Sequence, residues 1–322
     1  MEVISKENYL VRMEREVIPL LGKCRHCGYF HPEGEGEIYY ERYWREQAEG
    51  AVVIVHGFSE SAEKYMEMIY YFFQAGYRVY ISDVRGHGRS VRAGRDLSLI
   101  HIDRYETYLS DLECLAERIV RKENPQLPLY LYGHSMGGGI AAAYLEKNPN
   151  LFQKAILSSP MIRLQTGGVP FCLAHLIAYL QVKLGNGQKY AIGQHGFRAD
   201  ETFEDSASVS RERFEYYYKK RLTEKRFQTS GASYGWIREA ARLSVYVLKR
   251  SNCSKIQAKI LMFQAEKEDY VDRKAQERFA GQVEGVCLKP VPGTKHEIYM
   301  SGDDALRTYV EDITAFLQME TG

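Results

Sequence analysis

The chain has 322 residues, 43 basic against 42 acidic side chains, a formal charge of +1 and a hydrophobic share of 45%. Near-neutrality removes the electrostatic footprint that a nucleic-acid partner needs. The composition is that of a globular protein, and the length allows one large α/β domain with an insertion or two domains. The opening M-E-V-I-S-K-E-N-Y-L has no basic stretch followed by an apolar one, so no secretory signal is expected. The longest apolar stretch, residues 170–180, is too short to span a bilayer, and the expectation is a cytoplasmic protein.

Taken in chain order, the first local feature is C-R-H-C at 24–27, close to His31. A structural zinc site needs four ligands and no second C-x-x-C completes one, so the reading is surface or half-buried thiols and no metal. A-V-V-I-V at 51–55 is a continuous apolar run ended by H-G-F, as expected of a strand buried on both faces. A helical stretch from Ala62 to Gln74 follows, then a strand at 77–82 closed by the glycine-punctuated turn D-V-R-G-H-G-R-S. A helix from Asp103 to Lys122 precedes the breaker N-P-Q-L-P. P-L-Y-L-Y at 128–132 reads as a strand, and G-H-S-M-G-G-G leads from it into the helix former I-A-A-A-Y-L-E-K. Further strands are expected at 154–158, 259–264 and 286–291. Strands alternating with helices specify an α/β fold with a mostly parallel sheet flanked by helices.

Past Pro160 the strand rhythm stops, and residues 161–246 read as an inserted, mainly helical cap on a core formed by 1–160 and 247–322. Leu173, Leu176, Ile177, Leu180 and Leu184 fall on one helical stripe. The plain reading packs that stripe onto the body; the alternatives are an acyl-chain wall or a membrane-facing lid. Residues 211–226 carry seven basic and three acidic side chains, read as a solvated cap helix, with attraction to anionic headgroups as the alternative.

The chemistry begins at Gly133-His134-Ser135-Met136-Gly137, a G-x-S-x-G pattern between an apolar strand and an Ala-rich helix. Such an elbow holds the serine in a strained backbone conformation, and its glycines are needed where no Cβ fits. Ser135 would stand as nucleophile at a helix N-terminus, where unbonded N–H groups favour negative charge. The backbone N–H of Met136 and that of Phe58, in the loop after an earlier strand, are the expected oxyanion donors. His296, in a loop after the last strand and downstream of a carboxylate-bearing loop, is the expected base. His56 precedes the serine and reads as a structural loop residue, and His87 belongs to the R-G-H-G turn. The acid lies in A-E-K-E-D-Y-V-D at 265–272. There Glu266 is barely clear of the strand and Asp272 precedes a helix pattern as its N-cap, leaving Glu268 and Asp269 as contenders.

H-G-F-S-E, D-V-R-G-H-G-R-S, G-H-S-M-G-G and the late histidine loop resemble the α/β-hydrolase fold, specifically its bacterial lysophospholipase and monoacylglycerol lipase branch. Y-A-I-G at 190–193, S-Y-G-W-I-R-E-A at 233–240, F-Q-A-E-K-E-D-Y-V-D and K-H-E-I-Y-M are nearer the lysophospholipases. The family spacing around the acid matches Ala265, Glu268 and Val271, which selects Glu268, with Asp269 as the alternative; monoacylglycerol lipases usually carry aspartate there. The resemblance implies a serine esterase that removes the acyl chain of a single-chain glycerolipid, lysophospholipid before monoacylglycerol. It needs no metal or organic cofactor, and a peripheral contact at the inner face of the membrane is compatible with it. Carboxylesterase, thioesterase and peptidase chemistry would use the same three residues, and a non-catalytic binding protein of this fold would usually lack one of them.

Overall fold

The computed structural model describes residues 2–32 and 36–319. Eight strands form one sheet: β1 (Arg25–Phe30), β2 (Ile38–Tyr43), β3 (Gly50–Val55), β4 (Tyr77–Ser82), β5 (Leu129–His134), β6 (Lys154–Ser158), β7 (Lys259–Ala265) and β8 (Val286–Val291). Their order is β1-β2-β4-β3-β5-β6-β7-β8. The β1–β2 and β2–β4 pairs are antiparallel and every other pair is parallel.

β3 lies near the centre, and every one of its residues is buried because both sheet faces are covered. Ala51, Val53 and Val55 enter one core, shared with helices α2 (Glu106–Leu115), α3 (Met136–Lys147) and α7 (Arg273–Ala280). Val52 and Ile54 point to the other, shared with the N-terminal helical run, α1 (Met66–Gln74) and α8 (Asp303–Gln318). Two expected helices are compound: a 3₁₀ turn, Ala62–Tyr65, precedes α1, and α2 continues as a π-helical segment, Ala116–Arg121.

Between β6 and β7 the large sheet receives no strand. This stretch holds α4 (Phe171–Lys183), α5 (Arg211–Thr223) and α6 (Tyr234–Val247). α6 shares the body's core through Trp236, Ala240, Leu243 and Val247. α4 lies against α6, with Ala178 buried.

Two expectations for this region are corrected. The leucine stripe does not pack onto the body: Leu173 is 45%, Leu176 51%, Leu180 50% and Leu184 73% exposed. Ala174 and Ala178 fall on a different face of α4 from those leucines, and a small-residue face permits a close approach between helices. The basic segment is not simply a solvated helix either. On α5 the Arg213 side chain is fully buried. Its Nε donates to Glu67 Oε2 at 3.0 Å, while Nη2 donates to Glu67 Oε1 at 2.9 Å and to the Ile4 carbonyl at 2.7 Å. Nη1 reaches Asp303 Oδ1 at 3.2 Å. Lys220 of the same helix pairs with Glu63. α5 is therefore fastened to the body by charge pairs facing inward.

Candidate active site

Parallel β3, β5, β6 and β7 all end at one edge of the sheet, so the turns that follow them converge there. Ser135, between β5 and α3, has φ 51° and ψ −119°, a left-handed conformation costly for any residue with a side chain. Its surroundings enforce it. The Ser135 N–H donates to the Ser158 carbonyl at 3.0 Å, and its own carbonyl accepts from Met161 N at 2.8 Å and Gly139 N at 3.1 Å. A Cβ on Gly137 would lie 2.0 Å from the Val55 carbonyl oxygen, and one on Gly133 2.7 Å from that of Gly137. Gly137 lets the helix start against β3, and Gly133 lets β5 pass against the helix's own first turns.

His296 Nε2 is 2.8 Å from Ser135 Oγ, and its Nδ1 is 2.8 Å from Glu268 Oε2. Glu268 has no exposed side-chain surface. Its other oxygen accepts the N–H groups of Tyr270 at 2.9 Å and Val271 at 3.2 Å, so the carboxylate is aimed by its own loop. The carboxylates crowded into 265–272 part company here. Asp269 is exposed and makes no contact with His296. Asp272 caps α7, accepting from Ala275 N at 3.2 Å. Glu266, which the sequence left without a role, accepts the Gly293 N–H at 2.6 Å and so ties the acid loop to the turn before His296.

Met136 is the first residue of α3, where a helix's N–H groups have no partner within the helix. Phe58 follows β3, the strand beside β5, and its ring lies 4.4 Å from that of Trp236. His56 is buried and pinned: Nδ1 donates to the Gly57 carbonyl at 2.8 Å and Nε2 accepts from Val84 N at 2.8 Å. Burial holds its imidazole below the usual range, against a smaller upward pull from Asp83. His87 lies against it, with ring centroids 5.2 Å apart, and is also held low by burial.

A cavity of 140 Å³ opens at Ser135 and His296, walled by Phe58, Lys64, Glu201, Tyr217, Arg221 and Glu297 among others. Its charges are paired, Lys64 with Glu60 and Glu297, and Arg221 with Glu201 at 2.7 Å. Of these wall residues the sequence reading named Phe58 alone, for its N–H. Glu60 closes H-G-F-S-E and so carried a signal; Lys64, four residues past that stretch, and the residues from α5 and the loop before it carried none.

An eight-stranded, mostly parallel sheet turning at a strained serine is the α/β-hydrolase fold. The chain belongs to the family described as serine aminopeptidase, S33, whose model matches residues 46–303. It is similar to lysophospholipase L2 of Escherichia coli strain K12, 29% identical over 278 residues, covering 84% of this chain and 81% of that protein. It is also similar to the monoacylglycerol lipase of Mycolicibacterium smegmatis, 36% identical over 138 residues, 43% of this chain and 46% of the relative. Among solved structures, a soluble variant of monoglyceride lipase from Saccharomyces cerevisiae in complex with a substrate analogue superposes with a TM-score of 0.73 at 21% identity, covering 90% of this chain and 94% of that one.

Proposed function

We propose that the protein is a carboxylic ester hydrolase that cleaves the acyl ester of a single-chain glycerolipid through an acyl-enzyme, with lysophospholipid as the leading substrate and monoacylglycerol next. The observation that carries this reading is the continuous hydrogen-bonded line from Ser135 Oγ through His296 to Glu268, with the serine held at φ 51°. His296 takes the serine proton as Oγ attacks the ester carbonyl, and Glu268 accepts the Nδ1–H and favours the imidazolium that forms. The N–H groups of Phe58 and Met136 receive the oxyanion. The imidazolium of His296 gives its proton to the departing alkoxide, the alcohol leaves, and a water deprotonated by the neutral His296 attacks the acyl-enzyme; His296 then returns that proton to Ser135 Oγ as the fatty acid is released. No step calls for a metal or organic cofactor. The lysophospholipase and monoacylglycerol lipase relatives support the choice of substrate class.

Residues 161–246 act in this reading as a cap, anchored to the body by α6 and by Arg213. No described helix is long and apolar enough to cross a membrane. The exposed Leu173, Leu176, Leu180 and Leu184 of α4 instead make a peripheral, transient contact with a membrane surface, from which a single-chain lipid reaches the site. The chain leading into α4 supports that link, because Gln165 N donates to the Tyr270 carbonyl at 2.9 Å beside Glu268. Labelling with a fluorophosphonate tests the chemistry: the wild type labels and Ser135→Ala does not, and equal labelling of the two refutes it. Fatty-acid release from lysophospholipids, monoacylglycerols and short water-soluble esters tests the substrate class, and a preference for the short esters overturns the lipid reading.

A further inference from the structure

Glu60 is 3% exposed, and three separate chain segments hydrogen-bond to it. Oε2 accepts the Gly57 N–H at 2.5 Å, in the loop that carries Phe58, and the Tyr65 hydroxyl at 2.6 Å. Oε1 accepts the Tyr299 hydroxyl at 2.7 Å, three residues past His296, and Lys64 Nζ at 3.3 Å. Oε2 also lies 3.3 Å from Nδ1 of His134, the residue before the serine. Gly57 N–H and the Lys64 ammonium can only donate, one to each oxygen, and against the cost of burial His134 and Lys64 hold the Glu60 carboxyl well below the usual range, so Glu60 is an ionised carboxylate.

His134 is 1% exposed, and its second nitrogen, Nε2, is 3.3 Å from the main-chain carbonyl of His296. A carbonyl cannot donate and an ionised carboxylate cannot donate, so both ring nitrogens must carry hydrogen. Only the imidazolium meets that condition. Burial works against the charge, but Glu60 outweighs it and raises His134 above the ordinary histidine range. The other groups that face this ring are Lys64 and Glu297, the His296 imidazole with centroids 5.0 Å away, the Tyr299 ring at 5.1 Å, and buried His56.

We infer that Glu60 and His134 form a positioning pair in which an imidazolium, fixed by a buried carboxylate, clamps the backbone of His296 while the same carboxylate fixes the loop of Phe58. The inference rests on the esterase reading, since it assigns the pair to aligning that reading's base and oxyanion donors. Neither residue touches the reacting atoms. Their effect is geometric: three loops distant in sequence share one carboxylate, so the line from Oγ to Nε2 and the direction of the Phe58 N–H are set together. A displacement of about 1 Å in such an array lowers the rate about 10²-fold.

The test compares wild type, Glu60→Gln, His134→Gln and Tyr299→Phe, all checked for native circular dichroism. Glu60→Gln and His134→Gln are expected to lower kcat and the fluorophosphonate labelling rate about 10²-fold with KM unchanged within about twofold, and Tyr299→Phe to lower kcat less. Proton NMR of ¹⁵N-histidine-labelled protein supplies a readout that does not depend on activity: the wild type shows two N–H protons on His134, and Glu60→Gln loses that pair. Should Glu60→Gln fail to fold, His134→Gln carries the rate comparison and the wild-type spectrum still decides the protonation state. A single N–H on His134, or labelling by both Gln variants at the wild-type rate, overturns the inference. A wild type that shows both N–H protons but does not label overturns the esterase reading and leaves the clamp standing.

Discussion

Replacing Glu146 by Gln should stabilise the protein, and by an amount that grows with pH. Glu146 lies near the end of α3 with no exposed surface, and its buried carboxyl has no closer partner than the weakly donating Cys253 thiol among the described residues. Burial pushes the carboxyl from its ordinary 4.5 up to about 9, against smaller downward pulls from Cys253 and Lys255. The folded state thus holds a proton that the unfolded chain releases. Stability from this group is fully present below pH 4.5, is lost progressively as pH rises, and levels off above about 9. At about 1.4 kcal/mol per pH unit, the accumulated loss at pH 7 is about 3 kcal/mol. An unfolding entropy of about 2.1 cal/mol/K per residue converts this to a Tm difference of about 5 °C in favour of Glu146→Gln. Scanning calorimetry of both proteins at pH 5.5, 7 and 8.5 measures it, a range in which Cys253 and Tyr246, the neighbours whose ionisation Glu146 opposes, stay largely protonated in both. A Tm difference that stays constant across the three pH values refutes the reasoning.

Glu268→Gln should lower kcat by about 10³–10⁴-fold, because the amide cannot stabilise the imidazolium, while Asp269→Asn stays within about twofold of wild type. Steady-state hydrolysis of a chromogenic ester distinguishes them, and the reverse ranking would move the acid to Asp269. Arg213→Ala leaves Glu67 buried without its cation and should cost about 3–5 kcal/mol, with Glu67→Gln in the same chain recovering part of it, as read by urea unfolding. Leu176→Ser with Leu180→Ser should leave Tm and short-ester hydrolysis unchanged but weaken co-flotation with lipid vesicles; unchanged flotation would remove α4 from the membrane reading.

The parallel part of the sheet was legible because its strands are short, mainly apolar runs, and a glycine or proline follows closely on most of them, the run before A-E-K-E-D excepted. The elbow was legible for a related reason, since Gly133 and Gly137 are demanded by contacts within a few ångströms of Ser135. β1 and β2 were not. R-H-C-G-Y-F mixes charge and aromatics because β1 is an edge strand with exposed residues, and I-Y-Y-E-R-Y because β2 buries Glu41 against the Tyr39 and Tyr43 hydroxyls and Arg25, a pairing that no apolar pattern announces. The leucines of α4 carry a clear helical period, but a period says that a stripe exists and not what it faces. Arg213 stands among six other cations within sixteen residues, and only three-dimensional proximity to Glu67, 146 positions away, separates it from them. Glu60 was part of a recognised stretch, yet its meaning lies in Tyr299 and His134, at separations of 239 and 74.

The guanidinium of Arg213 has a further consequence for how the chain is made. It joins Ile4, 209 residues earlier, to Asp303, 90 residues later. During synthesis the N-terminal segment and α5 are both available long before Asp303 emerges, and loops of that length close late. The wall that α5 contributes to the cavity through Tyr217 and Arg221 therefore acquires its Asp303 fastening only when the first turn of α8 has been made. A growing chain has the Glu67 and Glu63 pairs of α5 within reach while the Asp303 contact is still missing, so the cap is set down in stages and finished last.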